Sequence, residues 1–180
     1  ADLPPIAPLP RSAWQIARAL GVSERRGWNH IACIQPMYNL VKRQAEVEIL
    51  PLVEAEGLGV ISYSPLGGGL LTGKHDFDSR VENSRLKDHD LYKRRYGQAS
   101  MFETARRLKE LAGEMDLSPV TLAVAWVLRH PGVTAPIIGA RNLEQLEPAL
   151  AAADFAMDDE LYAKITALSE APPSPTDRSE

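Results

Sequence analysis

"IQPMYNLVKRQAEVEILPLVEAEGLGVISYSPLGGGLLTGK", residues 34–74, holds two short apolar runs separated by a helical pattern. The first run, within "HIACIQPMYN" (30–39), ends at a proline, which suits a fully buried strand followed by a turn. "KRQAEVEILPLVEAEG" then places Val47, Leu50, Leu52, Val53 and Ala55 on one broad helical face, with Gly57 as the C-cap. Pro51 is expected to kink or divide that helix. The second run, "LGVISYS" (58–64), reads as another strand, and it empties into three consecutive glycines. Strand, helix, strand is a βαβ unit, and such units build parallel sheets.

The flanks extend the alternation. Upstream, "SAWQIARALGVSE" (12–24) spaces Trp14, Ile16, Ala17 and Leu20 as a short helix opened by Ser12. Residues 1–11 carry four prolines and read as an extended arm, unfit for a helix interior or a central strand. Downstream, residues 75–97 are charged and aperiodic, which predicts a long irregular connection. "SMFETARRLKELAGEMD" (100–116) is an amphipathic helix through Phe102, Ala105, Leu108, Ala112 and Met115. "SPVTLAVAWVLRHPG" (118–132) has a capping serine, a proline at the first helical position and apolar residues almost all round, so it should be buried. "VTAPIIGA" (133–140) is a third strand, and helices over 142–155 and 158–169 follow. Residues 171–180 read as a disordered tail. The expected organisation is an arm (1–11), an α/β unit (12–170) and the tail.

Composition narrows the function classes. The chain has 180 residues, 44% apolar and 24% charged, as in ordinary globular domains. A net charge of −4 and a pI near 5.6 leave no basic footprint for nucleic acid. No apolar run approaches the ~18 residues of a membrane span, and no secretory pattern opens the chain. The lone Cys33 forms no internal disulfide and fits a reducing compartment, so a cytoplasmic protein is expected.

Each strand ends in a stretch able to contact a ligand. Gln35 is an amide at the end of a buried strand, where it needs a partner. It is either satisfied by neighbouring backbone or offered to a ligand. Tyr63 is either core or a flat stacking face. Gly67, Gly68 and Gly69 permit positive φ and close approach of backbone to phosphate, with Ser64 adding a hydroxyl; a ligand-free tight turn is the alternative. The loop matches neither G-x-x-x-x-G-K-[ST] nor G-x-G-x-x-G. In "IIGARNLEQL" (137–146), Arg141 before a helix N-terminus suits phosphate. A plain capped helix, with Gln145 bonding back to the backbone, is the other reading. In parallel α/β proteins the C-terminal ends of the strands form the ligand side.

Residues 34–74 and "SPVTLAVAWVLRHPGVTAPIIGARNLEQL" closely resemble the aldo/keto reductase superfamily, in the branch of potassium-channel β subunits and related bacterial reductases. The resemblance covers about residues 14–168. It implies a partial (β/α)8 TIM barrel, strands six to eight with their helices, and an NADP cofactor. Gln35 then resembles the residue that bonds the nicotinamide carboxamide, and Tyr63 the one that stacks on the ring. Ser64, Pro65, Leu66, Gly67, Gly68 and Gly69 resemble the pyrophosphate loop. Lys74, Ser84 and Arg85 stand where the family clasps the adenosine end, and Gly139, Ala140, Arg141 and Gln145 where it holds the 2′-phosphate. Pro148 and Ala149 replace the family's adenine-gripping Glu-Asn pair.

The family's catalytic Asp, Tyr, Lys and His lie on its first four strands, before the region of resemblance. No catalytic residue and no metal ligand is therefore assigned. Tyr38, Tyr92, Tyr96 and Tyr162 lie outside the family's catalytic context, and His30, His75, His89 and His130 are expected at surface or loop positions. The expectation is a carbonyl-reducing oxidoreductase acting on a small carbonyl substrate, inactive as an isolated chain. The alternatives are a non-catalytic NADPH-binding module and a truncated remnant stabilised by oligomerisation. Exposed apolar side chains at Ile34, Val60 and Ile138 would drive a homo-oligomer or pairing with a complementary N-terminal fragment.

Overall fold

Among the described residues four short parallel strands carry the fold: β1 (Ile6–Ala7), β2 (Cys33–Ile34), β3 (Gly59–Ser62) and β4 (Ala135–Pro136), in spatial order β1-β2-β3-β4. The computed structural model describes residues 6–7, 12–75 and 85–174. Three strands are those read from the apolar runs. The fourth lies within the predicted arm, whose Ile6–Ala7 pairs with β2 between flanking prolines. Only an outermost strand tolerates prolines on both sides, because it pairs along one edge. Of the predicted tail over 171–180, residues 171–174 form no helix or strand and residues 175–180 lie outside the described residues.

Among the described residues there are eight helices: α1 (Ala13–Arg26), α2 (Ile49–Glu56), α3 (Arg85–Asp88), α4 (Asp90–Tyr96), α5 (Ala99–Glu114), α6 (Pro119–Arg129), α7 (Leu143–Leu150) and α8 (Asp159–Thr166). With α2 joining β2 to β3 and α3–α6 joining β3 to β4, the chain is an α/β fold of βαβ units. Among the described residues no single helix is long and apolar enough to cross a membrane.

Local chemistry accounts for most boundaries. Ser118 Oγ accepts from the Val120 N–H at 3.2 Å, Pro119 occupies the first position of α6, and residues 121–127 are all buried. In α5 the buried Met101, Phe102, Ala105, Leu108 and Leu111 recur at helical spacing. Pro51 does not divide α2, because the helix starts at Ile49 and the proline falls in its first turn, where the N–H has no helical acceptor. The break lies earlier, at residues 47–48, after a 3-10 turn over Gln44–Glu46. Residues 85–97 are not irregular: α3 and α4 form there, too short to show a periodicity in sequence.

Register decides which side chains form the core. Cys33 pairs with Gly59 and Ile34 with Val60, while Ile61 pairs with Ala135 and Ser62 with Pro136. Alternation then sends Ile34, Val60 and Ser62 to the helix side, where all three are buried. Ile138 also packs against this cluster. The expectation that Ile34, Val60 and Ile138 lie exposed on the sheet's other face is therefore reversed. The open face carries Cys33, Ile61 and Ile137, the last 43% exposed.

An aromatic box closes the core below β2. Trp126 is fully buried, with its Nε1 donating to Thr166 Oγ1 at 2.8 Å and its ring stacked on Tyr162. Tyr38 lies 5.1 Å from the Trp126 ring and donates to Glu46 at 2.8 Å. Arg43 sits over Trp126, forks onto Glu46 and reaches the Thr166 carbonyl at 3.3 Å, tying α8 to the β2 connection. His130 meets Tyr38 edge-on at 5.5 Å, and its Nδ1 accepts from the Gly132 N–H at 3.1 Å. His75 is buried and His130 half-buried, both at loop rather than surface positions.

Burial lowers the His130 pKa from 6.5, against the opposing pull of Glu46 and Glu54, and Arg43 adds to the lowering. A histidine depressed in the folded state takes up its proton first in the unfolded chain. Its contribution to stability is complete above 6.5 and is lost as the pH falls below that value. Urea melts at about pH 7.5 and about pH 5.5 should show a loss on acidification that His130→Asn reduces, since asparagine keeps an acceptor for Gly132 without titrating. An undiminished loss in the variant would place the titration elsewhere.

Candidate functional site

Beyond β2 and β3 the two chains stay paired, because Met37 bridges Tyr63 in parallel. The Tyr63 N–H donates to the Pro36 carbonyl at 3.0 Å, and the Tyr38 N–H to the Tyr63 carbonyl at 3.3 Å. Gln35 and Tyr63 are thereby delivered to neighbouring strand ends, both half-buried. Among the described residues the Gln35 side-chain amide has no hydrogen-bond partner. An amide half removed from water and unpartnered is suited to a polar ligand.

A residue that sequence reasoning passed over locks this pairing. Asn39 is fully buried, and its Nδ2 donates to the Ser64 carbonyl at 2.9 Å and to Tyr96 Oη at 3.3 Å. Its Oδ1 accepts from the Val41 N–H at 3.1 Å. Tyr96, from α4, is also fully buried and donates to Met37 Sδ at 3.3 Å; burial raises its phenol pKa. Ser64 itself has φ +59°, a left-handed conformation that serine rarely adopts unaided. Asn39 stood within the quoted "QPMYN", and the burial reasoning given to Gln35 applied to it equally. Tyr96 carried no such signal.

The glycine loop largely satisfies itself. The Gly67 N–H donates to the Ser64 carbonyl at 3.0 Å, and the Gly69 N–H to the Leu66 carbonyl at 2.9 Å. Leu70 and Leu71 bury the following turn completely. Gly67, Gly68 and Gly69 all have positive φ. A Cβ on Gly68 would lie 2.5 Å from Tyr92 Cδ1, whereas one on Gly69 would meet nothing nearer than His75 Nε2 at 3.9 Å. Pro65 is buried and Leu66 half-buried beneath the loop, and Lys74 is exposed at its end. Arg85 opens α3; its side chain and the whole of Ser84 lie outside the described residues.

Past β4, Gly139, Ala140, Arg141 and Gln145 are exposed. Asn142 caps α7 by accepting from the Gln145 N–H at 3.0 Å, and Gln145 Oε1 accepts from the Arg141 N–H at 3.2 Å. The capped-helix reading is thus realised, and it holds the turn that presents Arg141. Ala149 is buried and Pro148 half-buried, with the Pro148 carbonyl accepting from Thr121 Oγ1, so both face the core. Strand order β2-β3-β4 puts the segments after all three strands along one edge of the sheet. A cavity of about 770 Å³ lies elsewhere, between Gly73, His75 and α5, and includes neither Gln35, Tyr63 nor Arg141. Among the described residues no three His, Cys, Asp or Glu side chains group as metal ligands.

Comparison with known proteins gives a consistent result. The model of the Aldo/keto reductase family matches residues 11–170. An uncharacterized oxidoreductase of Bacillus subtilis, YrpG, is 34% identical over 161 residues, 89% of this chain and 47% of that protein. A probable voltage-gated potassium channel subunit beta of rice, Oryza sativa, is 34% identical over 172 residues, 92% of this chain and 52% of that protein. Aflatoxin B1 aldehyde reductase member 2 of the rat is 32% identical over 158 residues, 79% and 43% respectively. The chain spans about half the length of the curated relatives it matches.

The two kinds of glycine in this site should respond differently to a methyl group. Gly68→Ala meets a left-handed φ and the Tyr92 ring, and should cost about 2–4 kcal/mol. Gly139→Ala has open space and no positive φ, and should stay within about 0.5 kcal/mol of the parent. Thermal or urea unfolding of the pair checks this; equal effects would contradict the geometry.

Proposed function

Because the chain belongs to the aldo/keto reductase family, we propose that it is the cofactor-holding part of an NADP-dependent carbonyl reductase. The observation that carries the reading is the placement of its ligand-suited segments after three adjacent parallel strands, on one edge of the sheet. On this reading those strands stand for the sixth to eighth of a (β/α)8 barrel. Gln35 bonds the nicotinamide carboxamide through its unpartnered amide, and Tyr63 gives the ring a flat face. Residues 64–69 grip the pyrophosphate. Lys74, Ser84 and Arg85 close on the adenosine end, while Gly139, Ala140, Arg141 and Gln145 take the 2′-phosphate.

NADPH, when bound, supplies the hydride that reduces an aldehyde or ketone to the alcohol. The chain's own residues orient the nicotinamide and anchor the phosphates; none of them is assigned as the donor of the proton to the carbonyl oxygen. That donor belongs to the complementary barrel strands. Those strands, or a second copy of this chain, would cover the open face that carries Cys33, Ile61 and Ile137.

A titration followed by NADPH fluorescence tests the reading. Arg141→Gln should weaken NADPH about tenfold and leave NADH nearly unchanged, since a guanidinium fork recognises the extra phosphate. Gln35→Leu should weaken both cofactors. Absence of NADPH binding at millimolar concentration would overturn the proposal, and oxidation of NADPH on adding an aldehyde would show that the chain needs no complement.

A further inference from the structure

Two tyrosines of α4 fill the space that side chains at Gly67 and Gly68 would need. A Cβ on Gly68 would stand 2.5 Å and 2.9 Å from the Tyr92 ring and 3.4 Å from that of Tyr96. A Cβ on Gly67 would stand 3.5 Å from Tyr96. The two rings stack on each other, 6.3 Å apart and inclined by 28°. Tyr96 is fully buried, and its hydroxyl joins Asn39 and Met37, which lie on the Gln35 segment. Asn39 in turn holds the carbonyl of Ser64, where the left-handed turn begins.

We infer that Tyr92 and Tyr96 are positioning residues for residues 64–69: seated against Gly67 and Gly68, α4 fixes the conformation of the glycine loop without being part of its ligand-facing surface. The dependence runs both ways. A helix of seven residues has little stability of its own, so α4 is held mainly by the docking of these rings. Whatever orders the loop therefore orders α4, and whatever loosens α4 loosens the loop. The identity of the ligand gripped by the loop rests on the cofactor reading above; the mechanical coupling does not.

Hydrogen exchange on the full chain, read by mass spectrometry, tests the coupling. Tyr92→Ala should speed exchange over Gly67–Thr72 about tenfold, with β3 and α6 unchanged. Tyr92→Phe keeps the ring and should restore protection. Tyr96→Phe removes only the hydroxyl and should give a smaller acceleration that includes residue 64. Unchanged loop exchange in Tyr92→Ala would show that the loop holds itself, and equal acceleration in β3 and α6 would show an effect on global stability alone. Either result overturns the inference. In a second arm, NADPH added to the parent chain should slow exchange in the loop and in α4 together; protection of the loop without α4 would also overturn it. If NADPH changes no exchange and does not bind, the cofactor reading fails, while the comparison of variants in the free chain still decides the coupling.

Discussion

The parallel pairing of Cys33 with Gly59 and Ile34 with Val60 is the constraint on which the rest depends. It selects Ile34 and Val60 for the core and leaves Cys33 on the open face. Continued past the strands as the Met37–Tyr63 bridge, the same pairing brings Gln35 and Tyr63 to neighbouring strand ends, Tyr63 opposite Met37 and two positions beyond the level of Gln35. A slip of β2 by one residue would turn Ile34 outward and direct Cys33 into the helix layer while Val60 stayed in place. The candidate site and the core are thus specified together, and the buried Asn39 contacts lock what apolar packing sets.

The Arg43–Glu46 pair supports this arrangement from below. Both side chains are largely withdrawn from solvent, Arg43 at 11% exposure and Glu46 at 19%. Such a pair gains little over apolar residues of similar size, but removing one member would strand the other. The pair therefore acts as specification more than as stabilisation. Through Arg43 it fastens the end of α8 over Trp126, and through Tyr38 it fastens the connection that follows Gln35. Burial, and after it the Glu46 carboxylate, raise the Tyr38 phenol pKa above its ordinary value. Fully buried and donating to Glu46, Tyr38 is a structural member of this group.

Legibility in the sequence followed the range of each signal. The helices α5 and α6 announce themselves through periodicity, a serine cap and a proline at the first position, all within one helix length. The strands β2 and β3 were legible as apolar runs but not their facing, because a strand in a covered parallel sheet is apolar on both sides and shows no alternation. That is why Ile34 and Val60 were assigned to the wrong face. The β1 pairing was hidden by its prolines, and α4 by its brevity. Asn39 and Tyr96 are 57 residues apart, and no local pattern links them. The candidate contacts themselves were visible because each follows a strand; what holds them in place was not.

Glycine shows why motif and mechanism must be separated. In sequence the three glycines of the loop and Gly139 invite one explanation, close approach of a phosphate. Yet Gly68 is required by the fold alone, since a positive φ and the Tyr92 ring exclude a side chain whatever is bound. Gly67 is similarly placed, with Val41 Cγ2 at 3.3 Å from where its Cβ would be. Gly139 has neither a positive φ nor any neighbour within 4 Å, so nothing in the chain's own packing calls for glycine there. On the cofactor reading, access by a phosphate accounts for glycine at Gly139 and, with its open side, at Gly69. Gly67 and Gly68 belong to the scaffold that makes such a surface rigid enough to bind.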